Sequence, residues 1–145
     1  MTVPLTSAYS IDHVAIVVRD LEATIELYTE RLGFRKIYRE IITDQGVEAV
    51  GLAAGSAVFE LLRPLDPGSA IARFCGEAES RLHHVAYRVA DLRTELIRLR
   101  AAGIGLIDEE PRRGANGNRI AFLHPKSTGG VLIELCQCPS SEPLN

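Results

Sequence analysis

The chain has 145 residues, a formal net charge of −3 and 24% charged residues. Acidic and basic residues are interspersed, without a basic stripe or basic amphipathic helix, which argues against nucleic-acid and membrane-surface partners. No apolar run reaches transmembrane length, the N-terminus lacks a signal-peptide pattern, and the three cysteines are typical of a reduced protein. We therefore expect a single cytoplasmic domain spanning residues 1–145.

The first half of the chain is predicted to contain a strand, a helix and three more strands. Residues 11–18 form a short apolar run rich in β-branched residues, as in a buried strand. Asp20 is suited to cap a helix that ends at Gly33. Three further strands are expected, at 34–42, 46–54 and 57–65. A linker helix at about 68–78 follows.

The second half repeats this order. SIDHVAIVVRDL (10–21) returns as RLHHVAYRVADL (81–92), so that His13 matches His84 and Asp20 matches Asp91 at the same offset. Such a repeat predicts two copies of one supersecondary unit. The expected elements are a strand at 82–89, a helix at 91–102, and strands at 104–110, 118–125 and 130–138.

This order predicts an α+β fold built from two βαβββ modules, at about 10–65 and about 81–138. A four-stranded half cannot bury both of its faces alone. We therefore expect the modules to pair into an eight-stranded, partly closed mixed sheet whose shared concave face holds the functional site.

The last strand of each module has a glutamate at its centre. VFELL (58–62) places Glu60 among apolar residues, and LIELC (132–136) does the same with Glu134. A buried carboxylate is costly unless it is paired or binds a cation. Two such carboxylates, together with the two repeated histidines, suit a divalent transition metal with open coordination positions. The alternative is that the histidines are satisfied core residues.

Two other histidines have to be distinguished from this set. The repeat selects His84 rather than its neighbour His83, which we expect on the opposite face of the strand. His124 has no counterpart in the first module and precedes a proline. We interpret His124 as a structural residue or a substrate contact.

The sequence resembles the vicinal oxygen chelate superfamily and, within it, the methylmalonyl-CoA epimerases. The resemblance rests on IDHVAIVVRDLEATIELYTERLGF, DQGVEAVGL, ELLRPL, LHHVAYRV and GNRIAFLHPKSTGGVLIEL. It implies a metal bound by His13, Glu60, His84 and Glu134, with Co²⁺ foremost and Mn²⁺, Ni²⁺, Fe²⁺ or Zn²⁺ as alternatives. It also implies interconversion of (R)- and (S)-methylmalonyl-CoA through an enolate, and a homodimer.

Epimerisation calls for acid/base groups on both faces of a planar enolate. By resemblance Glu134 is one of them. The family's second glutamate falls at Ala49 by ungapped counting, with Glu48 beside it. A tight hairpin at Ala54-Gly55 would place Ala49 opposite Glu60 and turn Glu48 away, whereas a longer loop would reverse this. Glu48 is the second catalytic candidate.

The loop PRRGANGNR (111–119) is a candidate for binding the anionic groups of a CoA ester. The candidate substrate-binding residues are Arg113, Asn118, Arg119 and Lys126. An ordinary turn with solvated charges explains the loop equally well. Other functions that keep the fold are a glyoxalase-type isomerase, a ring-cleaving dioxygenase and a metal-free small-molecule binding protein of the resistance type. The dioxygenase is disfavoured because oxygen activation suits two histidines and one carboxylate.

Overall fold

The computed structural model describes residues 9–139, and each half of this range runs strand, helix and then three strands. The first half contains β1 (Ser10–Val18), α1 (Leu21–Glu26), β2 (Lys36–Ile42), β3 (Val47–Ala54) and β4 (Ala57–Pro64). A linker helix, α2 (Ala70–Cys75), follows. The second half contains β5 (Ser80–Arg88), α3 (Leu92–Ala101), β6 (Arg112–Arg113), β7 (Arg119–Phe122) and β8 (Ile133–Gln137).

The strands form one mixed sheet in the order β2-β3-β4-β1-β5-β8-β7-β6. The two modules meet where β1 pairs antiparallel with β5, while β1–β4 and β5–β8 are parallel pairs. From either edge to this junction the order is the same, so an approximate two-fold axis relates the modules. The predicted α+β fold of paired βαβββ modules is confirmed.

The repeat extends to the helix caps. The Asp20 carboxylate accepts a hydrogen bond from the Ala23 backbone N–H at 3.0 Å, and Asp91 accepts one from Thr94 at 3.1 Å. These caps satisfy N–H groups that have no partner within the helix. The first helix continues through a π-helical turn, Leu27–Arg31, and the chain leaves it at Gly33, whose φ of +78° favours glycine.

The predicted strand at 104–110 is wrong. Leu106 makes only an isolated bridge to Leu123, and the backbone N–H groups of Ile107 and Asp108 both donate to the Phe122 carbonyl. A β-ladder does not continue where two successive backbone N–H groups donate to the same carbonyl oxygen. The edge strand is instead the two-residue β6.

The two faces of the sheet have different roles. Helix α1 packs on one face, where its Leu21 joins Val18, Val50, Leu52 and Leu61 in a buried cluster. The opposite face presents His13, Ala15 and Glu60, among two further clusters of buried apolar side chains. In residues 9–139, no helix is both long and apolar enough to cross a bilayer.

Candidate metal centre

The four predicted ligands project from the four central strands toward one point. Ala15 of β1 pairs with both Glu60 and His84, and Ala86 of β5 pairs with both His13 and Glu134. Because residues paired across a sheet share a face, this register brings the four side chains together. Each of them is only 3–4% exposed.

Donor atoms of His13, His84 and Glu134 all lie within 4.8 Å of one another, a separation that suits a common metal ion, and Glu60 lies beside His13. His13 Nε2 lies 3.1 Å from His84 Nε2, 3.2 Å from Glu134 Oε1 and 3.7 Å from Glu60 Oε1. His84 Nε2 lies 3.6 Å from Glu134 Oε2. Neighbouring donors around an octahedral ion with bonds of about 2.1 Å lie roughly 3 Å apart. Two imidazoles and the Glu134 carboxylate therefore lie close enough to share a divalent transition metal, with the Glu60 carboxylate next to them, and binding of a metal by these four residues stays a prediction.

Without a metal, the surroundings shift the pKa values of the two histidines in opposite directions. Burial opposes a charge on His13, but its hydrogen bond to Asp12 and the nearby Glu134 and Glu60 carboxylates raise its pKa well above the usual range. Burial and the charge on His13 lower the pKa of His84. Burial also raises the pKa of Glu60 to about 7. A metal would therefore displace protons from this centre when it binds.

Tyr38 orients one of the carboxylates. Its hydroxyl donates to Glu60 Oε2 at 2.6 Å, which leaves Oε1 facing His13. The tyrosine ring lies over Gly51, the residue that pairs with Glu60 in the β3–β4 ladder. A Cβ on Gly51 would lie 2.1 Å from a ring carbon, so this packing requires glycine.

Replacing Gly51 with alanine is expected to displace Tyr38 and to destabilise the fold by about 1–3 kcal/mol, as overpacking usually does. Tyr38→Phe removes only the hydroxyl, so it should weaken metal binding while leaving the melting temperature nearly unchanged. Thermal unfolding and metal titration of both variants test this. Equal metal affinity in Tyr38→Phe and wild type would contradict a role for the hydroxyl in orienting Glu60.

Glu48 does not reach this centre, which corrects its place among the catalytic candidates. The hairpin turns at Gly55-Ser56, so that Gly51 lies opposite Glu60 and Ala49 opposite Leu62. The tight turn at Ala54-Gly55 considered in the sequence would instead have placed Ala49 opposite Glu60. The two registers differ by two residues, and a shift of two residues leaves each side chain on the same face of the sheet. Ala49 is buried on the face of Glu60, whereas Glu48 is on the other face and is paired with Arg39 and Arg63.

His83 also departs from expectation. Instead of pointing to the other face of β5, its Nδ1 lies 2.8 Å from Nδ1 of His84. His124 lies away from the centre and accepts a hydrogen bond from the Lys126 backbone N–H. Asp12 and Tyr38 contact the ligands but were missed by the sequence analysis. The repeat could have indicated Asp12, because a polar residue stands directly before the histidine in both copies: Asp12 before His13, and His83 before His84.

A largely apolar cleft of about 850 Å³ opens beside the centre and is bordered by both His83 and His84. Its walls include Phe74, Leu82 and Val131. A second, much smaller pocket lies at the ligands themselves and has room for about one water or ion, at about 10 Å³. The centre is thus enclosed but adjoins a cavity of small-molecule size.

The predicted substrate-binding residues lie at different parts of this surface. Asn118 lines the small pocket together with Glu134, and it also borders a surface depression lined by Arg112, Arg113 and Arg119. Arg112 lines the large cleft as well, although it was not among the candidates. Lys126 does not line the cleft, the small pocket or the depression. It belongs to the turn Pro125–Ser127, and Pro125 borders the cleft.

Comparisons with known proteins agree with this geometry. The sequence model of the Glyoxalase/Bleomycin resistance protein/Dioxygenase superfamily matches residues 12–122. An ethylmalonyl-CoA/methylmalonyl-CoA epimerase of Cereibacter sphaeroides is 38% identical over 88% of this chain and 96% of its own. The crystal structure of a methylmalonyl-CoA epimerase of Mycobacterium tuberculosis is 41% identical, with a TM-score of 0.87 over 94% of this chain and 93% of its own.

A third relative was solved with a ligand. The structure of a methylmalonyl-CoA epimerase in complex with methylmalonyl-CoA and NH4+ is 35% identical, with a TM-score of 0.87 over 95% of this chain and 100% of its own. Its match, like that of the Mycobacterium tuberculosis structure, covers nearly the whole chain. The chain therefore belongs to the Glyoxalase/Bleomycin resistance protein/Dioxygenase superfamily, and it is similar to the superfamily's epimerases of CoA esters.

Proposed function

We propose that this enzyme is a metal-dependent epimerase that interconverts (R)- and (S)-methylmalonyl-CoA. The observation that carries the proposal is the buried cluster of His13, His84 and Glu134 with Glu60 beside it, in a chain whose named relatives are epimerases of this substrate. The ligand set is intact, which speaks against a metal-free binding protein.

The cavities support an acyl-CoA substrate. The apolar cleft beside His84 is of a size to hold the acyl group together with a pantetheine-like arm, whereas the small pocket at Glu134 has room for only about one water or ion. Arg112 borders both the cleft and the depression that also contains Arg113 and Arg119. Arginines suit the phosphates of CoA because guanidinium groups bind them in a bidentate manner.

The reaction is abstraction of a proton from the carbon next to a thioester. That carbon is a weak acid, so the negative charge that develops on the thioester oxygen needs stabilisation. A bound divalent metal would supply positive charge there. The side chains then have to remove the proton on one face of the planar enolate and return one on the other.

We assign these two proton transfers to Glu134 and Glu60. Within residues 9–139, they are the two glutamates among the small pocket's lining residues, and Glu48 is on the other face of the sheet. The approximate two-fold axis relates Glu60 to Glu134, so they approach the centre from opposite modules.

The direct test is exchange of the α-proton of methylmalonyl-CoA in D₂O, followed by NMR. Metal-loaded protein should exchange the proton and interconvert the epimers, and EDTA-treated protein should lose both activities until Co²⁺ is restored. Inactivity with a metal demonstrably bound would reject this substrate. Glutathione hemithioacetals would then test for a glyoxalase-type isomerase.

A further inference from the structure

The residue before each histidine ligand is the extra residue of a β-bulge. In the β1–β5 ladder Ile11 pairs with Tyr87 and His13 with Ala86, so Asp12 has no opposite residue. A bulge of this kind bends the strand and redirects a side chain. Asp12 therefore need not point away from His13, as the next residue of a regular strand would.

The second module has the same irregularity in the other strand. Ala15 pairs with His84 and Ile16 with Leu82, so His83 is the unpaired residue. Asp12 and His83 occupy equivalent positions of the repeat, one residue before His13 and His84. The approximate two-fold axis therefore relates not only the ligands but also the bulges that precede them.

Each bulged residue contacts the inner nitrogen of the following histidine. Asp12 Oδ2 lies 2.7 Å from His13 Nδ1, and His83 Nδ1 lies 2.8 Å from His84 Nδ1. Asp12 is 5% exposed, so its carboxylate is largely shielded from water. These are contacts between consecutive residues, which a regular strand would place on opposite faces.

The contacts are compatible with one assignment of hydrogens that suits metal binding by both histidines. A histidine that binds a metal through Nε2 carries its proton on Nδ1. Asp12 is an acceptor for that proton on His13. His83 is an acceptor on Nδ1 if it is neutral with its own hydrogen on Nε2. One assignment of hydrogens thus satisfies both pairs and leaves both ligand Nε2 atoms available.

We propose that Asp12 and His83 are a symmetry-related pair of positioning residues that hold His13 and His84 in the Nδ1–H form with Nε2 directed at the metal. This inference rests on the proposed metal centre and adds to it two residues that act through the metal-ligating histidines. Their bulges are the structural device that makes the contacts possible.

The two positioning residues differ in chemistry. Arg88 donates to Asp12 Oδ1 at 2.8 and 3.1 Å, so the carboxylate is held from both sides and its bond to His13 is charge-assisted. His83 is uncharged in this arrangement, packs edge-on against Phe74 and borders the cleft. We therefore expect His13 to be held more firmly than His84.

The test compares Co²⁺ dissociation constants, measured by chelator competition. His83→Phe keeps a ring but removes the acceptor, and it should weaken binding about 10–100-fold, the usual effect of losing a residue that supports a metal ligand. His83→Asn restores an acceptor and should recover most of the affinity. Asp12→Leu should weaken binding at least as much as His83→Phe, with Asp12→Asn between Asp12→Leu and wild type. His124→Asn, which keeps a capping acceptor, is the matched control.

Wild-type affinity in both His83→Phe and Asp12→Leu would overturn the inference. If either variant fails to fold, ¹⁵N spectra of the histidine side chains in the metal-free wild type decide the matter. His84 is expected as the Nδ1–H form, and the Nε2–H form would overturn the inference. A wild-type protein that binds no Co²⁺ would instead reject the proposed function on which the inference rests.

Discussion

Replacing His84 with alanine is expected to abolish stoichiometric metal binding and turnover together. The change removes one of two imidazole donors whose Nε2 atoms are 3.1 Å apart, and it opens the buried centre to the adjoining cleft. Loss of the metal removes several kcal/mol of transition-state stabilisation, so the rate should fall by roughly 10³-fold or more. Metal content after dialysis and α-proton exchange measure the two effects separately.

His124→Ala is the matched control for this change, because His124 lies outside the centre and only caps a short turn. It should retain metal content and activity close to those of wild type. A His84→Ala protein that keeps one equivalent of metal and full activity would show that His84 is not a ligand of the catalytic metal.

The proximity of the four predicted ligands could be predicted from sequence because it depends on features that a repeat preserves. Two copies of one unit, each with a histidine on its first strand and a glutamate on its last, come together when the first strands pair. Glu60 and Glu134 are also conspicuous as carboxylates in apolar strands, where burial is costly without a partner.

The bulges at Asp12 and His83 could not be predicted in the same way. A bulge adds an unpaired residue to a ladder without a distinctive composition, so alternation along the strand placed His83 on the wrong face. The direction of Glu48 depended on where the β3–β4 hairpin turns, because a shift of one residue reverses the faces. The contact between Tyr38 and Glu60 joins different strands and leaves no local signal at all.

Glutamine at either of the two acid/base positions is expected to separate proton exchange from epimerisation. Glu134→Gln and Glu60→Gln each keep an oxygen donor for the metal but remove one group that can accept a proton. Epimerisation should fall by roughly 10²–10⁴-fold in each variant, the usual contribution of general acid–base catalysis. The remaining carboxylate can still remove a proton from its own face and return one there.

Each variant should therefore exchange the α-proton of one epimer with D₂O without inverting it, and the two variants should act on opposite epimers. Glu48→Gln is the control with the same chemical change on the other side of the sheet, and it should epimerise at nearly the wild-type rate. Wild-type epimerisation by Glu60→Gln would remove Glu60 from the pair. If Glu48→Gln lowers the epimerisation rate as much as Glu134→Gln does, then the substrate lies on the face of β3 that carries Glu48, where Glu48 pairs with Arg39 and Arg63. If the two variants exchange the α-protons of opposite epimers, then each module supplies the acid/base group for one face of the enolate, and the approximate two-fold axis relates these two groups.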